Sequence, residues 1–374
     1  MRERERTPPR GKGSSRTLGV VCGYLFKTIR ESIGLTQVEL AEELGVDVAT
    51  IQGWESGRRS LTALRAGDLI RLRMKLTRLG APPRAFTALN DAIEVDLIIA
   101  AAVDAGSTNT NPHDHLLATS VHRRKITHLI TWPFTGIAPP GVAQMAGRRH
   151  ARRGPVSNHP ALSAEERTRF FDHLMVMADA NRNDETALLR RQAIYLLGFD
   201  QRSETVAWLT DEQRRAVRSA GSADDVPSWL AVRSSAVALA STGNRDPLAA
   251  FVSTGLADDT QEAANLNYWA YWIGEISDVQ VDDGFMAPGL PTTWEGVHLF
   301  EHLLASLRPT SNHIELNVHT LWSLVLARPR LLDSRPELRA LAGGKLDEVD
   351  RGDLPSRTRQ ELASVAYAIR LAER

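Results

Sequence analysis

Residues 34 to 59, GLTQVELAEELGVDVATIQGWESGRR, constrain the fold more than any other part of the chain. Between Gln37 and Trp54, apolar or small side chains fall at Leu40, Ala41, Leu44, Val46, Ile51 and Trp54, with Gly45 between Leu44 and Val46. That spacing predicts two short helices crossing at a steep angle. Ala41 is the small residue that lets their backbones approach, and Gly45 is the turn position that tolerates a positive φ. Asp47 is placed to cap the second helix, its carboxylate accepting the free N–H groups of Ala49 or Thr50. Burying Leu40, Leu44, Val46, Ile51 and Trp54 leaves Gln37, Val48, Ala49, Thr50, Gln52 and Gly53 outside. A helix that projects small, uncharged side chains from its first turn has the shape of a major-groove reader.

The charge distribution agrees. The chain is neutral overall, yet residues 1 to 154 carry 23 Lys+Arg against 14 Asp+Glu, and residues 155 to 374 carry 22 against 31. A basic front and an acidic back suggest that the front meets a polyanion. Residues 1–17 have almost no apolar content, so they are expected to form a disordered basic arm carrying Arg2, Arg4, Arg6, Arg10, Lys12 and Arg16. From Leu18 to about Leu79 the pattern is helical throughout, with one stripe at Leu25, Ile29 and Ile33 and another at Leu61, Leu64, Leu69, Leu72, Leu76 and Leu79. Gly80-Ala-Pro-Pro ends that block.

On these residues, GLTQVELAEELGV followed by TIQGWESGRR, the chain resembles the Cro and lambda-repressor-like (XRE) family of helix-turn-helix proteins over about residues 20 to 80. The resemblance implies that Gln37, Thr50, Arg58 and Arg59 contact phosphate, and that Val48, Ala49, Gln52 and Gly53 lie at or beside base-facing positions. It also implies an internal ion pair between Arg30 and Glu55. Val48 and Ala49 can only pack against thymine methyl groups, and Gly53 offers nothing, so direct readout is thin. The arm is therefore expected to add phosphate or A·T minor-groove contacts. A module of this size is expected to bind as a dimer on two half-sites.

Beyond residue 80 the signals weaken. Residues 84 to 104 and 116 to 131 read as helices around the polar loop GSTNTNPHDH, and 132 to 160, with five prolines and Arg148, Arg149, Arg152 and Arg153, reads as a linker. After Ser163 the chain is again helical, with breaks expected near 200, 222, 243, 257, 284 to 292, 309 and 343. Two segments align at an offset of 43, pairing Arg190 with Arg233, Ala193 with Ala236, Leu196 with Leu239, Arg202 with Arg245 and Trp208 with Phe251. Such a period suits stacked helix pairs of HEAT or TPR type, a plain bundle being the rival.

Other constellations are weak. His298-Leu-Phe-Glu301-His302 spells the H-x-x-E-H of inverted zinc peptidases, but the stretch is also an ordinary amphipathic helix with no identifiable third ligand. His113 and His115 read as solvated loop residues, the YWAYWI run at 268–273 as core, and the lone Cys22 as a packed thiol. No apolar run approaches the length of a membrane span, so a cytoplasmic location is expected. The sequence thus predicts an all-α protein: arm 1–17, helix-turn-helix domain 18–80, connector and linker 81–155, and a helical domain 156–374. It is expected to be a transcriptional regulator, a repressor, binding double-stranded DNA as a homodimer. The helical domain would dimerise and sense a peptide, small-molecule or protein effector, with no enzymatic activity, cofactor, metal or membrane partner. A DNA-tethered scaffold that recruits a protein partner is the alternative.

Overall fold

The computed structural model describes residues 19–103, 115–121, 123–145, 159–220, 225–277, 283–286, 294–333 and 335–372, among which lie eighteen α-helices and no strand. None of these helices is long and apolar enough to cross a membrane. The chain divides into two compact units, one drawn from Met1–Thr108 and His128–Phe170, the other from Asn109–Thr127 and Phe171–Arg374.

In the first unit, α1 (Val20–Ser32), α2 (Gln37–Leu44), α3 (Val48–Glu55), α4 (Ala66–Arg78) and α5 (Pro83–Val103) follow in order. Val21, Cys22, Leu25, Phe26 and Ile29 recur at helical spacing along α1 and are wholly buried. α1 has no side-chain cap of its own, because Gly19 occupies the N-cap. The cap comes from α5: the buried Asp96 carboxylate accepts N–H from Val21 at 2.9 Å and from Cys22 at 2.8 Å. Burial raises the Asp96 carboxyl to about 6. Burial first, and then the Asp96 charge, pushes the Cys22 thiol well up, in keeping with a packed, inert thiol. Gly80 ends α4 at φ 95, but α5 then returns to α1, so the compact unit runs past residue 80.

α6 (Arg124–Thr135) and α7 (Pro140–Ala143) replace the first part of the expected linker. Trp132 is 1% exposed and meets Tyr24 edge-on at 5.2 Å, while Val142 and Met145 are buried. Proline content misleads here because α6 runs through Pro133: the proline forgoes the bond to the carbonyl four residues back, while burial of Ile126, Leu129, Ile130 and Trp132 holds the segment helical.

The remaining helices are α8 (Ala164–Ala180), α9 (Ala187–Leu197), α10 (Ser203–Ser219), α11 (Val226–Ser241), α12 (Asp246–Thr254), α13 (Asp259–Ile273), α14 (Val297–Ser306), α15 (Ile314–Ala327), α16 (Arg330–Asp333), α17 (Pro336–Asp350) and α18 (Ser356–Leu371). α11, α12 and α17 each begin with a proline in the first turn, where its absent N–H is no loss. The 43-residue offset maps α9 onto α11 and α10 onto α12. Ala193, Ala236, Leu196 and Leu239 are all wholly buried, but Arg190 pairs with Glu212 whereas Arg233 stacks on Tyr268. Regular stacking does not continue. α15 is buried from Ile314 through Leu321 and packs against α12, α13, α14 and α18, whereas a stacked repeat meets only its neighbours. Several polar residues of α15 find partners within the core, His319 with Glu361 at 2.9 Å, Thr320 with Asn265 at 3.0 Å, and Glu315 with Arg245 at 3.0 Å, although His319 Nε2 and Glu315 Oε2 are buried without a hydrogen-bond partner. The break expected near 343 is absent. Gly343 and Gly344 sit inside α17, which the burial of Leu338, Ala342, Leu346 and Val349 holds helical despite a propensity cost of about 1 kcal/mol per glycine.

Candidate nucleic-acid interface

The two crossed helices form as the spacing requires. Gly45 caps α2 in the left-handed region at φ 67, with Val46 N–H donating to Ala41 O at 3.0 Å. Leu40, Ala41, Leu44 and Ile51 are buried, while Val46 and Trp54 are half-buried, Trp54 meeting Phe26 edge-on at 5.7 Å. α2 starts on a capping box, the T-x-x-E of Thr36 and Glu39. Thr36 Oγ1 accepts from Glu39 N–H at 3.2 Å, and Thr36 N–H donates to Glu39 at 2.7 Å. Lys75 from α4 closes the other end by donating to Leu44 O at 2.6 Å.

Asp47 occupies the N-cap position of α3, but its side chain makes no capping bond. The carboxylate stays in water, where it is already solvated, and the backbone carbonyl of Asp47 accepts from Thr50 N–H at 2.8 Å.

α1, α2 and α3 are locked together by one polar knot. Glu55, its side chain 5% exposed, accepts from Arg30 Nε at 2.5 Å and Nη2 at 3.1 Å, and from Gln37 Nε2 at 2.6 Å. Arg30 Nη1 also donates to Leu35 O at 2.7 Å. The Arg30–Glu55 pair therefore exists as the resemblance implies, and Gln37 joins it. The Gln37 amide N–H is held inward on Glu55, which orients the side chain at the start of α2.

Glycine packing sets the angle between α1 and α3. A β-carbon at Gly23 would stand 2.3 Å from the Trp54 carbonyl oxygen, and one at Gly57 would stand 3.0 Å from the backbone of Gly19. Gly57 also takes φ 73, turning the chain after α3 so that Arg58 and Arg59 return beside it. Both arginines are exposed.

The outer face of α3 differs from expectation at one position. Ala49 and Gln52 are exposed and Val48 and Thr50 half-exposed, but Gly53 is buried. It is the seat of Arg59, whose Cδ and Cγ lie 3.0 and 3.1 Å from where a β-carbon of residue 53 would be. The Arg59 guanidinium then runs along α3 and donates to Thr50 Oγ1 at 2.9 Å. Helical phase alone points Gly53 outward, because it cannot register a side chain arriving from outside the helix. Arg58 rests on Ser56 Oγ at 3.3 Å.

The basic arm 1–17, His113, and Arg148, Arg149, Arg152 and Arg153 lie outside the described residues. His298 and Glu301 are exposed, and His302 stacks against Trp269 at 5.7 Å with burial holding it low, at about 4. No group of three or more His, Cys, Asp or Glu positioned to hold a metal ion occurs among the described residues. His115 stacks on His173 at 5.9 Å, and burial first lowers both rings. In YWAYWI, Ala270 is buried but Tyr268, Trp269 and Trp272 line a cavity.

The sequence profile of the helix-turn-helix family matches residues 26–72, the span of α1 to α4 that carries this geometry. No curated protein and no solved structure matches the chain. Residues 26–72 are a helix-turn-helix domain of the XRE and Cro/lambda-repressor-like kind, which implies DNA as a partner.

Proposed function

We propose that the helix-turn-helix domain at residues 26–72 makes this protein a sequence-specific transcriptional regulator, a repressor that binds operator DNA as a dimer. The observation that carries the reading is the face of α3, where exposed Ala49 and Gln52 are flanked by the exposed Arg58 and Arg59 on a helix anchored behind by Ile51 and Glu55. Gln52 has the side-chain amide that pairs with adenine in the major groove, and Ala49 can pack on a thymine methyl. Arg58, Arg59 and Thr50 supply phosphate contacts that fix register. Dimerisation is assigned to the face of α4 on which Ile70 and Met74, one turn apart, are 56% and 52% exposed.

Binding-site selection on the full chain tests this, repeated without residues 1–17. An enriched motif with two related half-sites is expected, and Gln52→Ala should change preference at one base position by about 1 to 3 kcal/mol. Recovery of random sequence would reject specific recognition. Broad, unpeaked genomic occupancy would favour instead a DNA-tethered scaffold.

A further inference from the structure

The second unit contains a cavity of about 420 Å³ between α9, α11, α13 and the start of α15. That volume is in the range of small-molecule sites, roughly 300 to 1,000 Å³. One wall is aromatic: Tyr268 and Trp272 stack at 6.2 Å, and Trp269 lies beside them on α13. The polar side carries Arg191, Arg233 and Arg308, and no Asp or Glu lines the cavity among the described residues.

Arg233 is the unusual member. It is 5% exposed, and its guanidinium lies 4.0 Å from the Tyr268 ring centre and 5.7 Å from that of Trp269. Its Nε is buried without a hydrogen-bond partner, and no carboxylate among the described residues forms an ion pair with it. Arg191 is half-satisfied: Nη1 donates to Asp283 at 2.6 Å, while Nη2 is buried and unpartnered. Burial lowers Arg233 from the usual guanidinium range, Tyr268 partly offsets this, and Arg191 adds to the lowering. A buried guanidinium without a counter-charge is costly, and cation–π contacts offset only part of that cost. Two unmatched donors beside an aromatic wall are what an anion with a flat ring would complete.

We propose that this cavity binds a small organic anion, a carboxylate or phosphate held by Arg233 and Arg191, whose planar ring stacks on Tyr268, Trp269 and Trp272. Binding itself does not depend on the regulatory reading; only a coupling between this ligand and DNA rests on it.

Titration calorimetry on the full chain, without DNA, uses 2-naphthoate and 2-naphthyl phosphate as the two anionic arms. Neutral 2-naphthamide is the charge control, and acetate and inorganic phosphate are the ring-free controls. One arm should bind with one-to-one stoichiometry and all three controls at least about tenfold more weakly, the weight of a charge-assisted hydrogen bond. The preferred arm tells carboxylate from phosphate. Arg233→Met should weaken the preferred anion at least about tenfold while leaving the melting temperature of the ligand-free protein unchanged or higher, since a buried unpaired charge is gone. Trp272→Leu keeps the charges and should weaken the ring-bearing anions several-fold, so it carries the test if Arg233→Met does not fold. Absence of saturable binding by both anions at millimolar concentration overturns the proposal, as does equal affinity for 2-naphthamide or unchanged affinity in folded Arg233→Met or Trp272→Leu. Anisotropy of a labelled duplex, with and without the anion, reads coupling separately, so loss of DNA binding leaves the calorimetric result standing.

Discussion

Gly53→Ala separates the stability of the domain from its grip on DNA. A β-carbon at residue 53 would lie 3.0 Å from Cδ and 3.3 Å from Cβ of Arg59, an exposed side chain, with the three nearest neighbours outside α3 all side-chain atoms. Arg59 must therefore give way by a few tenths of an ångström along its aliphatic stem, which disturbs its 2.9 Å bond to Thr50, while α3 itself need not move. In the helix, Ala gains up to about 1 kcal/mol over Gly. The exposed Arg59–Thr50 bond is worth about 0.5 to 1 kcal/mol. The two nearly cancel, so folding stability should stay within about 0.5 kcal/mol of the parent. If Arg59 holds a phosphate, its displacement removes one charge-assisted contact. Affinity should fall about tenfold at low salt, and the slope of log K against log salt should become less steep by about 0.9. Anisotropy titrations of a labelled mixed-sequence duplex across a salt series measure both quantities. Arg59→Ala should give the same slope, and the double variant should add nothing further. An unchanged slope in folded Gly53→Ala would refute the assignment of Arg59 to the DNA backbone.

Three further outcomes follow from the same unit. Gly23→Ala places a β-carbon 2.3 Å from the Trp54 carbonyl, which no side-chain motion can relieve, so hydrogen exchange of the α1 and α3 amides should accelerate by an amount equivalent to about 2 kcal/mol or more. Glu55→Ala strands the buried Arg30 guanidinium and frees Gln37, and the same amides should report a loss of about 3 to 5 kcal/mol, a loss under 1 kcal/mol counting against the knot. Asp96 titrates at about 6 in the fold, above the unfolded value near 3.9, so the folded state binds the extra proton between those limits. Its contribution is greatest below about pH 4 and is lost as pH rises through about 6, a change on the order of 3 kcal/mol. Exchange of α1 amides, corrected for intrinsic rate, should slow on acidification from pH 7 to 5, and Asp96→Asn should abolish that dependence.

The helix-turn-helix was legible because its determinants are local. Apolar spacing from Leu40 to Trp54 and a residue free to adopt positive φ at Gly45 act within a few residues of one another. The same short range misled where a distant segment intervened. Gly343 and Gly344 look like a stop until burial of their neighbours is known, and the proline-rich start of the expected linker hides the buried Trp132.

By itself, then, the amino-acid order determined the all-helical class and the position of the helix-turn-helix pair, since both depend on side-chain period and backbone preference. Only the tertiary structure decided that Gly23 admits the end of α3, that α5 supplies the missing cap of α1 through Asp96, and that Gly53 seats Arg59. It alone also gathered Arg191, Arg233 and Trp272 around one cavity. Each of these depends on which remote surface covers a residue, and close packing of separated segments leaves no periodic trace along the chain.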